Sequence, residues 1–147
     1  MENILLTAPD GALPEVSSPA YELLSLLYGS DEKNKLPRDF LCNELGGGFR
    51  AYLQKLMGEH YQHWLIHTEQ DVYNGKKQTF YWLDERHISC DWEQDKDARA
   101  IACKRYKDRS YYGTKRAVER LERAKREKAA ADKEYQQRIK SKKPTQD

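Results

Sequence analysis

At 147 residues and 17.3 kDa, the chain has room for one domain plus an extension, which excludes a pair of full-sized domains. Hydrophobic residues make up 38% and charged residues 34%, so the core is small, and ten tyrosines and three tryptophans must supply much of it. The net charge of +2 hides an asymmetry: residues 1–95 hold 8 Lys+Arg against 16 Asp+Glu and residues 96–147 hold 18 against 8, which directs any polyanion contact to the C-terminal third.

Three cysteines, Cys42, Cys90 and Cys103, lack the spacing of a disulfide framework, and residues 1–17 lack the basic and apolar pattern of a signal peptide. No apolar run approaches the roughly 20 residues that span a bilayer. A soluble chain in a reducing cytoplasm, with no membrane partner, is therefore expected.

Residues 1–17 carry two prolines, a glycine and no sustained period, and are read as a flexible arm on which Leu5 and Leu6 could dock. Ser18-Pro19 then supplies an N-cap and a first-turn proline. Behind them Tyr21, Leu24, Leu27 and Tyr28 form one helical stripe that ends near Gly29. Residues 36–45 restart a helix with Pro37 in its first turn and Phe40, Leu41 and Leu45 turned inward. Gly46-Gly47-Gly48 stops it, because glycine leaves a helix through the left-handed region without strain.

The next helix, residues 49–59, buries Phe49, Leu53, Leu56 and Met57 and turns Arg50, Ala51, Gln54, Lys55 and Gly58 outward. The period then changes. Residues 63–72 and 78–83 are rich in strand-favouring types, and Asn74-Gly75 between them suits the type I′ turn of a two-stranded hairpin. Lys76 and Lys77 sit beside the tip. Beyond residue 93 the composition favours helix, broken near "DRSYYGT" by Gly113, with Thr114 as a new N-cap. Ala117, Leu121, Ala124, Ala131 and Tyr135 make a thin seam interrupted by Lys128, which leaves a homodimer open.

Residues 21–83, with a leucine-rich first helix, a short second helix ending in glycine, a third helix rich in Arg and Leu, and the strands "WLIHT" and "FYWL", resemble the winged helix-turn-helix superfamily, in particular the small helix-turn-helix proteins of bacteriophages and prophages. The resemblance implies an α+β fold in three parts: an arm at 1–17, a winged helix domain of three helices and a β-hairpin wing at 18–90, and a basic, mainly helical tail at 91–147. It also implies a DNA-binding regulator.

Several residues suit that role. Arg50 and Gln54 share a helix face with Lys55 beside them, and Arg and Gln can pair with guanine and adenine in the major groove. Lys76 and Lys77 on the wing, and Lys104, Arg105, Lys107, Arg109, Lys115 and Arg116 on the tail, can reach phosphates. Tyr106, Tyr111 and Tyr112 interleave with the tail's charges, a pattern that also suits RNA or single strands. Residues 18–90 hold 8 Lys+Arg against 10 Asp+Glu, so the tail must contribute affinity or the partner is a protein of host or phage replication, transcription or defence.

His60, His63, His67, His87, Cys90 and Cys103 do not assemble a zinc spacing, and "GGG" lacks the Lys-Ser/Thr of a phosphate loop. No enzyme, cofactor or metal is expected.

Overall fold

A computed structural model of the chain describes residues 1–141. The architecture is α+β: five helices and a three-stranded antiparallel sheet among the described residues. Two compact units are present, Met1–Lys107 and Asp108–Asp147. The helices are α1 (Glu2–Thr7), α2 (Pro19–Tyr28), α3 (Arg38–Leu45), α4 (Phe49–Met57) and α5 (Trp92–Ser141), and the strands are β1 (Leu36–Pro37), β2 (Ile66–Tyr73) and β3 (Lys76–Leu83).

The N-terminal residues depart from the flexible arm expected for them. They form α1, whose Ile4 is fully buried, and the following segment buries Ala12. Its carbonyl accepts a hydrogen bond from the Trp64 indole at 2.9 Å. A six-residue helix has little stability alone, and burial of Ile4 in the common core holds it.

Helix α2 begins as its sequence dictates. The Ser18 hydroxyl accepts from the Tyr21 N–H at 3.2 Å, and Pro19 occupies the first turn. Its buried stripe is Ala20, Leu23, Leu24 and Leu27, one position round from the expected stripe, so Tyr21 and Tyr28 lie only part-buried at its edge.

Leu36 and Pro37 are not the first turn of a helix. They pair with Tyr81 and Phe80 as β1, and α3 starts at Arg38. A residue before proline is pushed to extended backbone, which suits a short edge strand. Only Leu41 of α3 is fully buried; Phe40 faces solvent and Leu45 is part-buried. Gly46, at φ +84°, ends the helix in the conformation that favours glycine.

Strands β2 and β3 pair in a continuous register from Ile66↔Leu83 to Tyr73↔Lys76, leaving a two-residue turn at Asn74-Gly75. Both turn residues have positive φ, +51° and +77°, as a type I′ turn requires. Gly75→Val is expected to strain this turn by about 1 kcal/mol or more, and so to raise amide exchange at residues 72–77 about fivefold or more. Unchanged exchange there would show that the turn imposes no such demand.

The sheet order is β1-β3-β2. With α2, α3 and α4 preceding the hairpin, this is compatible with a winged helix-like arrangement. The core gathers Leu23, Leu24 and Leu27 of α2, Leu41 of α3, Phe49, Leu53 and Leu56 of α4, and Trp64, Ile66, Tyr81 and Leu83 of the hairpin and its approach. Phe49 meets Tyr81 edge to face at 5.8 Å.

The expected break at residues 108–114 is absent: α5 continues through Gly113, and the Thr114 hydroxyl bonds back to the Ser110 carbonyl at 3.0 Å inside the helix. A single glycine costs a helix roughly 1 kcal/mol, which the Ala, Glu, Lys and Arg around it outweigh. The compact unit also extends beyond residue 90, because the first turns of α5 bury Asp95, Ala98, Arg99 and Ala102.

Candidate nucleic-acid interface

The heart of the first unit is a buried polar cluster. His87 is fully buried, and its Nε2 accepts the Leu65 N–H at 2.9 Å. The other ring nitrogen must then carry the proton, and Nδ1 donates to Asp95 at 2.9 Å. Asp95 in turn accepts from Arg99 Nε at 2.8 Å, and Arg99 Nη1 donates to the Gln62 carbonyl at 3.0 Å. The guanidinium lies 4.0 Å from the Trp64 ring centroid. Among the described residues every buried side-chain nitrogen and oxygen has a hydrogen-bond partner.

These contacts set the charge states. Burial pushes the His87 imidazole below its ordinary pKa and the positive Arg99 acts in the same sense, so the ring stays neutral. Burial pushes the Asp95 carboxyl up, but hydrogen bonds from His87 and Arg99 outweigh it and hold the group below the usual carboxylate range. Asp84 shows the same balance, with burial opposed by the hydrogen bond to His67 and by the Arg86 N–H. The cluster reads as a structural clasp between α5 and the segment leading into β2.

The clasp places α5 against the C-terminal end of α4. Gln62 and His63 both adopt positive φ, which non-glycine residues seldom do. Arg99 holds the first through its carbonyl, and the His63 N–H donates to the Gly58 carbonyl at 3.0 Å. The Tyr106 ring of α5 then packs on His63 at 5.4 Å between centroids. Gly58 is buried rather than outward: a Cβ there would stand 3.0 Å from the Gln54 carbonyl and 3.4 Å from the same tyrosine ring.

Helix α4 buries Phe49, Leu53 and Leu56 at spacings of four and three. Arg50, Ala51, Gln54 and Lys55 are consequently exposed on its other side, and Lys55 in the last turn complements the helix dipole. The outer hairpin stands clear of the core, with every residue from 68 to 77 exposed, Lys76 and Lys77 included. Glu69 and Asp71 share that stretch, so the wing has no net charge of its own. Lys35, from the loop before β1, pairs with Glu69 and lies 4.9 Å from the Trp82 ring centroid.

Lys104, Arg105 and Lys107 flank Tyr106 and are exposed in the same unit as α4. Arg109, Lys115 and Arg116 are exposed in the second unit. There Arg116, Arg120 and Arg123 share one helix face and line a shallow pocket with Gly113 and Glu119. Arg120 and Arg123 join Arg116 through spacings of four and three, a signal present in the sequence itself. The two units differ in charge: residues 1–107 hold 13 Lys+Arg against 17 Asp+Glu, residues 108–147 hold 13 against 7.

Of the residues considered for zinc, His87 is in the clasp, His67 bonds Asp84 at 2.7 Å, and His63 Nδ1 meets the Met57 carbonyl at 3.0 Å. No group of three or more His, Cys, Asp or Glu side chains among the described residues could hold a metal ion. No described helix is long and apolar enough to cross a membrane. No protein family, curated protein or solved structure matches the chain.

Proposed function

We propose that this chain is a DNA-binding regulatory protein of the small phage or prophage type. It would read duplex DNA through α4 and hold it through the phosphate contacts of α5. The observation that carries the reading is the wholly exposed polar face of α4, Arg50, Gln54 and Lys55, which follows directly on α3 and precedes an exposed hairpin. The β1-β3-β2 order supports it, since β1, a short strand between α2 and α3, pairs with the second hairpin strand, as the corresponding strand of a winged helix does.

Division of labour follows from charge. The first unit carries a net −4 and repels phosphates overall, so the domain sets register while the net +6 of residues 108–147 raises affinity. That same acidity favours one rival reading, an interaction module that docks a basic protein surface. Salt separates nucleic acid from an apolar protein interface, whose affinity does not fall steeply with ionic strength; a basic protein surface is salt-sensitive too and is told apart by nuclease treatment, which removes only a nucleic-acid partner.

Replacing Arg50 and Lys55 together with Ala is expected to weaken binding to duplex DNA at least tenfold, measured by fluorescence anisotropy at low salt, with the circular dichroism spectrum unchanged. Both side chains are exposed, so folding does not depend on them. Undiminished binding would remove α4 from the interface. Absence of any binding by the unaltered chain to duplex DNA would leave the protein-docking reading in its place.

A further inference from the structure

The second unit exposes apolar side chains that a solitary solvated helix does not require. Leu121 is 56% exposed, Tyr135 63% and Ile139 38%. They belong to one stripe, Leu121, Lys125, Lys128, Asp132, Tyr135 and Ile139, whose spacings alternate four and three and so keep a single face along more than two heptads. The stripe has apolar ends and a charged middle. Ala124 and Ala131 flank it and let a neighbouring backbone approach closely.

We infer that this stripe is a self-complementary dimer seam, occupied by α5 of a second copy of the chain running antiparallel. In the alignment that sets Leu121 against Ile139 of the second copy, Lys125 meets Tyr135 and Lys128 meets Asp132. The two-fold axis repeats each pair, giving two apolar contacts, two lysine-on-tyrosine contacts and two ion pairs. A parallel pairing would instead oppose Lys125 to Lys125, Lys128 to Lys128 and Asp132 to Asp132, which like charges disfavour. The charge pattern therefore selects both the occupant and its direction.

Dimerisation leaves the basic face free. At about 100° per residue, Arg116, Arg120 and Arg123 lie roughly 100 to 160° round the axis from Leu121. The seam rests on the second unit alone and stands whether or not the nucleic-acid reading does.

The test uses the full chain, treated with nuclease, in sedimentation equilibrium across roughly 5 to 200 µM, the range suited to a micromolar dimer. The unaltered chain is expected to dimerise. K128D sets a carboxylate against Asp132 of the second copy, and D132K sets an ammonium against Lys128, so each variant alone should dimerise at least tenfold more weakly. An equimolar mixture of the two restores both ion pairs across the seam and should recover the dimer. Mixing cannot repair a defect within one helix, so recovery separates the seam from an effect on helix stability. A chain that stays monomeric throughout, single variants that dimerise as well as the unaltered protein, or a mixture that does not recover would each overturn the inference.

Discussion

Asp95→Ala is expected to destabilise the protein by about 3 to 5 kcal/mol, the range found when one partner of a buried ion pair is removed. The carboxylate accepts from both His87 and Arg99. Its loss leaves a nearly buried guanidinium without a counter-charge and a fully buried imidazole N–H without an acceptor. A melting curve shifted by only a degree or two would show that Arg99 finds water when its partner goes. Asp95→Asn keeps an acceptor for one donor and should cost less.

The same cluster fixes the response to pH. His87 has a lowered pKa in the folded chain, so below about 6.5, the ordinary histidine value, the unfolded chain binds a proton that the folded chain refuses. Stability therefore falls as pH drops through that point. The lowered carboxyls of Asp84 and Asp95 act in the same direction at more acid pH: their contribution is present above about pH 4 and is lost as pH falls further. Thermal melts taken from pH 7.5 to 4.5 should show a steady decline that His87→Gln flattens, whatever that variant's own stability at neutral pH.

A chain ending at Asp91 is expected not to fold cooperatively, whereas one ending at Lys107 should melt as a unit. The shorter piece lacks Asp95, Ala98, Arg99 and Ala102, uncovering Leu65, His87 and one face of Trp64. It should bind a hydrophobic dye and show little near-ultraviolet dichroism. The longer piece retains the clasp and the Tyr106 contact on His63. It lacks the surplus of basic residues beyond residue 107, so under the proposed function its nucleic-acid affinity should fall well below that of the full chain. On duplex DNA its logarithmic salt slope should be shallower by about 3.6 if four phosphates are neutralised by the missing segment. Cooperative melting of the piece ending at Asp91 would show that α5 is not part of the core.

Local chemistry alone determined much of this molecule. Ser18-Pro19 opens α2 because a hydroxyl acceptor and a preset φ are complete instructions within four residues. Asn74-Gly75 turns the hairpin because both positions need positive φ. Phe49, Leu53 and Leu56 put Arg50, Gln54 and Lys55 outside by periodicity, a property of the segment itself. The separation of an acidic front from a basic end is likewise a fact of composition.

What tertiary structure decided has a common cause: each case depends on a partner distant in the chain. Residues 2–7 are helical because Ile4 enters a core built by residues 23 to 83, and Leu36-Pro37 become a strand because Tyr81 and Phe80 stand beside them. Gln62 and His63 take left-handed backbone because Arg99, 37 residues beyond Gln62, anchors the first carbonyl. Asp95 and Arg99 read in sequence as an ordinary surface pair four residues apart. Their burial arises because Ala98 and Ala102, with no bulk beyond Cβ, let α5 settle on Leu65 until the pair meets His87 and Trp64. Periodicity within one segment carries no information about such contacts, since their energy is gained only when both surfaces are already in place.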